Sequence, residues 1–414
     1  MSETLQQPQQ NKGMIKISLV AILALFYMAH KVMPIVGFYT PAVVRMGMCG
    51  LLLLLLMPLF QRKVAWVMFG LLSVSGLALI LRMIRGRELI LYTYGEIQIY
   101  LYGLITLWFV AKEDKKLLRN VLWFILAMYI VTAITTIVGN DKYPQASRLL
   151  ASLSNSDAEY TLYVKNNIGN FSFAYELVLI TPILICMIKQ KIINSIIAVG
   201  VLLLIAACLL SMEYGMALIL FFVAVSLLVL PRLTIKRLMI FLTVFLAFFL
   251  LFGESVAKLF ESLSKMIESE TLSERFLLVS QALSGKGEIT VETGANRAKL
   301  YEQSLQVFFD TGFIGGWGKA RSGGHSFILD ALANYGVLGA AAVAVVCVTI
   351  YRITLKPYKK ESFYPYILAS FLLMLVMMVM NPKIYLFVFL TVIPLFGEWR
   401  KHVNHADSAE KFKE

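Results

Sequence analysis

Apolar residues run in long unbroken blocks along this chain, divided by short polar breaks. The blocks span about 15–30, 43–60, 64–82, 89–111, 119–139, 171–188, 192–211, 213–230, 237–253, 335–355, 363–380 and 383–398. A helix needs about 20 mostly apolar residues to cross a hydrocarbon core. Most blocks approach that length, so the pattern predicts an all-α, polytopic membrane protein with about 12 transmembrane helices. It divides the chain into a polar tail (1–13), helices one to nine (14–253), a long loop (254–324), a half helix with the last three spans (325–400), and a second polar tail (401–414).

Two breaks are long, near 140–170 and 253–324. A structureless loop of the second length is uncommon, so it is expected to hold helices of its own. Leu259, Phe260, Leu263, Met266 and Ile267 follow helical spacing. Thr271-Leu272-Ser273-Glu274 fits a capping box. Asn296 is the expected cap of a further helix carrying Leu300, Tyr301, Leu305 and Phe308.

Composition agrees with the pattern. The chain is 59% hydrophobic and only 15% charged, against about 25% charged in soluble domains. Its formal charge of +13 would suggest nucleic acid in a soluble protein. Here the basic residues cluster in alternate breaks, as cytoplasmic loops do. Lys112, Lys115, Lys116 and Arg119 share one such break, and Arg352, Lys356, Lys359 and Lys360 another. This predicts both termini inside and the two long loops outside. Cys49, Cys186, Cys208 and Cys347 all fall in apolar blocks without metal-ligand spacing. They read as small buried hydrophobes, and neither a metal nor a cofactor is expected.

Several polar residues break these rules. Gly315-Gly316-Trp317-Gly318-Lys319-Ala320-Arg321-Ser322-Gly323-Gly324-His325-Ser326 is dense in glycine, basic, and followed by a helical pattern. It is either a ligand-approach turn or a flexible connector. Arg82, Arg85 and Arg87 cluster on the expected outer side, as a phosphate clamp or as a solvated turn. Arg45, Glu96 and Glu176 lie in or beside apolar blocks, where a charge is costly and usually faces a partner or a cavity. His30 and Lys31 read as the interfacial end of the first block. Arg297 opens a loop helix, and an exposed arginine is the alternative reading there.

The run from Asn296-Arg297 through Phe313-Ile314-Gly315-Gly316-Trp317-Gly318, Gly324-His325-Ser326-Phe327-Ile328-Leu329-Asp330 and Tyr335-Gly336-Val337-Leu338-Gly339 resembles the O-antigen polymerase and O-antigen ligase superfamily. It is closest to the Wzy-type capsule and exopolysaccharide polymerases. The resemblance implies a metal-independent, inverting glycosyltransferase of the bacterial cytoplasmic membrane with an extracytoplasmic active site. Polyprenyl-diphosphate-linked glycans would be its substrates, with a flippase and a chain-length regulator as possible partners. It implies His325 as general base, since histidine titrates near neutrality. Arg297 and Arg321 would stabilise the departing diphosphate, with Arg82, Arg85, Arg87 and Lys319 behind them. Glu213, Tyr214, Asp330 and Arg45 would be in support. One departure stands out: the stretch Ser211-Met212-Glu213-Tyr214-Gly215 lacks an arginine that many members carry there. The superfamily's ligases and a lipid-linked oligosaccharide flippase are the alternative readings.

Overall fold

A computed structural model describes residues 8–411 except 60, 85–89, 154–156, 231–232, 268–272, 274–275, 278–279, 281–291, 318, 321 and 382. Side chains are described for these except 8–18, 62, 90–96, 242, 245–254, 256, 292–298 and 404–411.

The described chain is all helical. In order it forms α1 (Pro8–Val32), α2 (Pro34–Tyr39), α3 (Ala42–Leu56), α4 (Arg62–Ile84), α5 (Ile90–Val110) and α6 (Lys115–Lys142). Two short helices follow, α7 (Ala146–Leu149) and α8 (Ala158–Lys165). Then come α9 (Phe171–Lys189), α10 (Ser195–Ser211), α11 (Gly215–Val225) and α12 (Ile235–Met266). The chain ends with α13 (Glu292–Asp310), α14 (Phe327–Ile350), α15 (Tyr364–Met380) and α16 (Ile393–Lys411).

Local chemistry sets many of these starts. Asp114 accepts from the Lys116 and Leu117 amides to open α6, and Asn170 accepts from Ser172 and Phe173 to open α9. Asn194 and Ser326 cap α10 and α14 in the same way. Each cap satisfies amides that the first helical turn leaves without a partner.

Among the described residues, five helices are long and apolar enough to cross a membrane: Ala42–Leu59, Lys63–Ile84, Lys115–Lys142, Phe171–Lys189 and Phe327–Tyr358. Their outward faces are apolar too. Val43 is 80% exposed and Phe69 67%, which fits hydrocarbon contact better than water contact. The α9 helix lies at the centre. It is buried on all sides, packs against α11 and α15, and carries Glu176 at 2% exposure.

Two expectations change. The helix through Leu259 and Met266 is not a separate loop element, because α12 runs unbroken for 32 residues from Ile235 to Met266. Asn296 falls inside α13, which begins at Glu292, and not at its start. The half helix expected ahead of a span from 335 is present: α14 consists of two helical pieces that meet at Gly336, with φ 62° and ψ −142°, before a π-helical turn at Tyr351–Leu355. The capping box around Thr271 lies outside the described residues.

Candidate functional site

The glycine-rich segment is a built turn. At Gly315 φ is +86°, and a Cβ there would lie 2.3 Å from the Gly336 nitrogen. A Cβ on Gly336 would lie 2.1 Å from the Phe313 oxygen. Two backbones meet here at a distance that only glycine permits. The break in α14 frees polar groups for this contact. Gly316 N donates to Ala333 O at 2.8 Å, Trp317 N to Asn334 O at 3.0 Å, and Val337 N to Phe313 O at 3.0 Å.

Asp330 closes the other end of the turn. Its Oδ1 accepts from Gly324 N (2.9 Å) and from the Ser304 hydroxyl (2.9 Å), while Oδ2 accepts from Ser326 N (3.0 Å). Ser304 Oγ in turn accepts from Gly323 N at 2.9 Å. One carboxylate therefore grips the backbone on both sides of His325. Three of its four lone-pair sites are committed to that task, so Asp330 is an anchor and a poorer candidate for a proton acceptor than His325. Phe327 N donates to Asn381 O at 2.7 Å, which ties the turn to the end of α15. His325 itself is half-buried.

A second constellation lies in two adjoining cavities. One, of about 440 Å³, is lined by His30, Lys31, Arg45, Gln98, Tyr160 and Asn170 among others. The next, of about 410 Å³, is lined mainly by apolar side chains together with Lys31, Glu176, Lys383 and Phe327. Lys31 and Tyr102 line both. Lys31 Nζ lies 2.9 Å from Glu176 Oε1, and Tyr129 donates to Glu176 Oε2 at 2.7 Å. Arg45 Nη1 donates to His30 Nε2 at 2.8 Å. A guanidinium only donates, so His30 accepts at Nε2 and carries its proton on Nδ1. Lys383 reaches solvent.

The wall beside Lys31 is fixed by Asn167. Its Oδ1 accepts from Ile35 N, and its Nδ2 donates to Thr135 Oγ1 at 2.9 Å. These bonds tie the bend between α1 and α2 to α6 and to the approach to α9.

The remaining expected residues divide as follows. Arg82 is half-buried in the last turn of α4. That helix runs antiparallel to α14, with Ser73 donating to Ala342 O and Gly70 against Thr349. Arg82 is thus at the same end of the bundle as the turn. Lys319 is exposed, and its amide donates to Gly316 O at 2.8 Å. Arg297 lies on α13, but its side chain is outside the described residues, as are Arg85, Arg87, Arg321 and the side chain of Glu96. Glu213 faces Arg148 at 3.8 Å, and Tyr214 donates to Ser147 O at 2.9 Å. An arginine therefore does stand at the 211–215 turn, brought there by α7. Sequence reasoning missed Arg148, Asn167 and Lys383 and undervalued His30 and Lys31, because their partners lie on distant helices.

No protein-family model, no curated protein and no solved structure matches this chain.

Proposed function

We propose that this protein is a polysaccharide polymerase of the bacterial cytoplasmic membrane. It crosses the bilayer about 12 times, and its long loop and glycine-rich turn face outward. It joins repeat units carried on polyprenyl diphosphate. The observation that carries the reading is the neighbourhood of His325. The histidine sits in a turn fixed by Asp330, and Phe327, two residues on, lines a cavity holding Lys31 and Lys383.

The chemistry balances without a metal or a cofactor. An acceptor sugar hydroxyl attacks the anomeric carbon of the chain on the donor lipid. A C–O bond forms as the bond from that carbon to the diphosphate oxygen breaks. The electron pair leaves on the diphosphate, and the hydroxyl proton passes to His325. A positioned base of this kind contributes about 10²–10⁴-fold. Cationic side chains facing the departing diphosphate lower the barrier by stabilising charge as it develops. Arg297, Arg321, Lys319 and the Arg82, Arg85, Arg87 group take that role. A base on the face opposite the leaving group gives inversion.

Glycan analysis of a strain lacking the protein tests this reading. Single repeat units left on lipid outside the membrane are the expected result. Long undelivered chains would identify a ligase instead, and units trapped on the cytoplasmic side would identify a flippase.

A further inference from the structure

We infer that the cavity between α1, α3 and α8 is a binding site for a phosphate-bearing group, with Arg45 as its principal ligand. Arg45 and Lys31 line this cavity, and among the described residues no aspartate or glutamate does. Lys31 is already balanced by Glu176, at 2.9 Å. Arg45 is not: its side-chain partner among the described residues is His30. The hydrogen-bond direction keeps that imidazole an acceptor toward the guanidinium, so His30 orients the positive charge without cancelling it. Arg45 Nε and His30 Nδ1 are both buried, with no hydrogen-bond partner among the described residues.

An arginine held in a cavity beside a bundle of apolar helices is costly unless something offsets its charge. A phosphoryl group does so well, because its oxygens match the guanidinium fork. The volume of about 440 Å³ falls within the range of roughly 300–1,000 Å³ typical of small-molecule sites. Hydroxyls and amides from Tyr160, Thr161 and Asn170 complete a polar wall suited to sugars or water around the anion.

The neighbouring cavity says what else the ligand carries. Leu71, Val74, Ile99, Val346 and Leu386 line its apolar wall, and it meets the cationic cavity at Lys31 and Tyr102. A cationic compartment joined to an apolar one suits an amphiphile whose phosphorylated head lies at Arg45 and whose hydrocarbon chain enters between α4, α5 and α14. Identifying this amphiphile with the donor or acceptor lipid of the polymerase rests on the reading proposed above. The phosphate site does not.

The test uses the full chain, purified in detergent, and three probes: geranylgeranyl diphosphate, inorganic diphosphate and geranylgeraniol. Equilibrium binding is measured for wild type, Arg45→Gln, Arg45→Lys and the control Gly200→Ala, whose added Cβ meets nothing within 4 Å, with thermal melting to confirm folding. Wild type and Gly200→Ala should bind the prenyl diphosphate equally. Arg45→Gln should weaken it roughly ten- to hundredfold, the usual loss for a charge-assisted contact. Arg45→Lys should fall between, because it keeps the charge but not the fork. Competition by inorganic diphosphate that depends on Arg45 would support a free anion as the source. Its failure, alongside tight prenyl diphosphate binding, would support a lipid. Unchanged affinity in folded Arg45→Gln, or equal binding of geranylgeraniol, overturns the site. Arg45-dependent binding in a protein that transfers no glycan would leave the site standing and remove the polymerase.

Discussion

At the scale of single residues, Asp330 shows how the environment of a group redirects its role. A carboxylate five residues after a histidine reads as a support for catalysis. Its three hydrogen bonds to Gly324, Ser326 and Ser304 make it a clasp for the histidine's backbone. Asp330→Ala should cost about 1.5–3 kcal/mol of stability, as hydrogen bonds to a charged acceptor do, and should slow transfer by loosening His325. Asp330→Asn should do less, because its carbonyl can still accept. The pH profile separates positioning from proton transfer. The limb near neutrality set by His325 should persist in Asp330→Asn at a lower rate, and its disappearance would make Asp330 the base. His325 and Asp330 are legible in the sequence because the whole turn is local. The Lys31–Glu176 and His30–Arg45 pairs are not. Each joins side chains from different helices, and hydrophobic spacing carries no information on which helices meet.

At the scale of elements, apolar periodicity located most helices and most of their ends, as at Phe171–Lys189 and Tyr364–Met380, and it failed at the end of α12. The expected end of the ninth block at 253 followed a fall in hydropathy, yet α12 continues to Met266. Backbone hydrogen bonding carries a helix past the point where its surroundings change. At about 1.5 Å per residue, its 32 residues span well beyond a hydrocarbon core of about 30 Å. The break in α14 is the element on which the turn depends. Gly336→Ala would force a Cβ into a backbone conformation that is essentially glycine's own, at a cost of about 1–3 kcal/mol. The contact with the Phe313 oxygen adds to that. Gly200→Ala is the matched control, since nothing lies within 4 Å of its added Cβ inside α10. That change should be neutral or should stabilise by about 0.5–1 kcal/mol. Melting of the two purified variants should move in opposite directions. A Gly336→Ala protein as stable as wild type would mean the turn and the helix break are not coupled.

At the scale of the molecule, the distribution of lysine and arginine predicts which end of the bundle faces out. Ser262 and Lys115 are both exposed and belong to opposite ends by that rule. With the native cysteines replaced by alanine, Ser262→Cys should react with a membrane-impermeant maleimide in intact cells. Lys115→Cys should react only after permeabilisation, and the reverse pattern would turn the molecule over. The same end of the bundle carries the glycine-rich turn, Arg82 and the two adjoining cavities, so sidedness and chemistry stand together. Transfer by purified protein tests the whole account most directly, with lipid-linked repeat units as both donor and acceptor. Wild type should extend them into polymer, with chelator making no difference. His325→Gln, which keeps a hydrogen-bonding side chain but takes no proton near neutrality, should fold normally and lose about 10²–10⁴-fold in rate. Near-normal polymer formation by His325→Gln would contradict the assignment of His325 as the base.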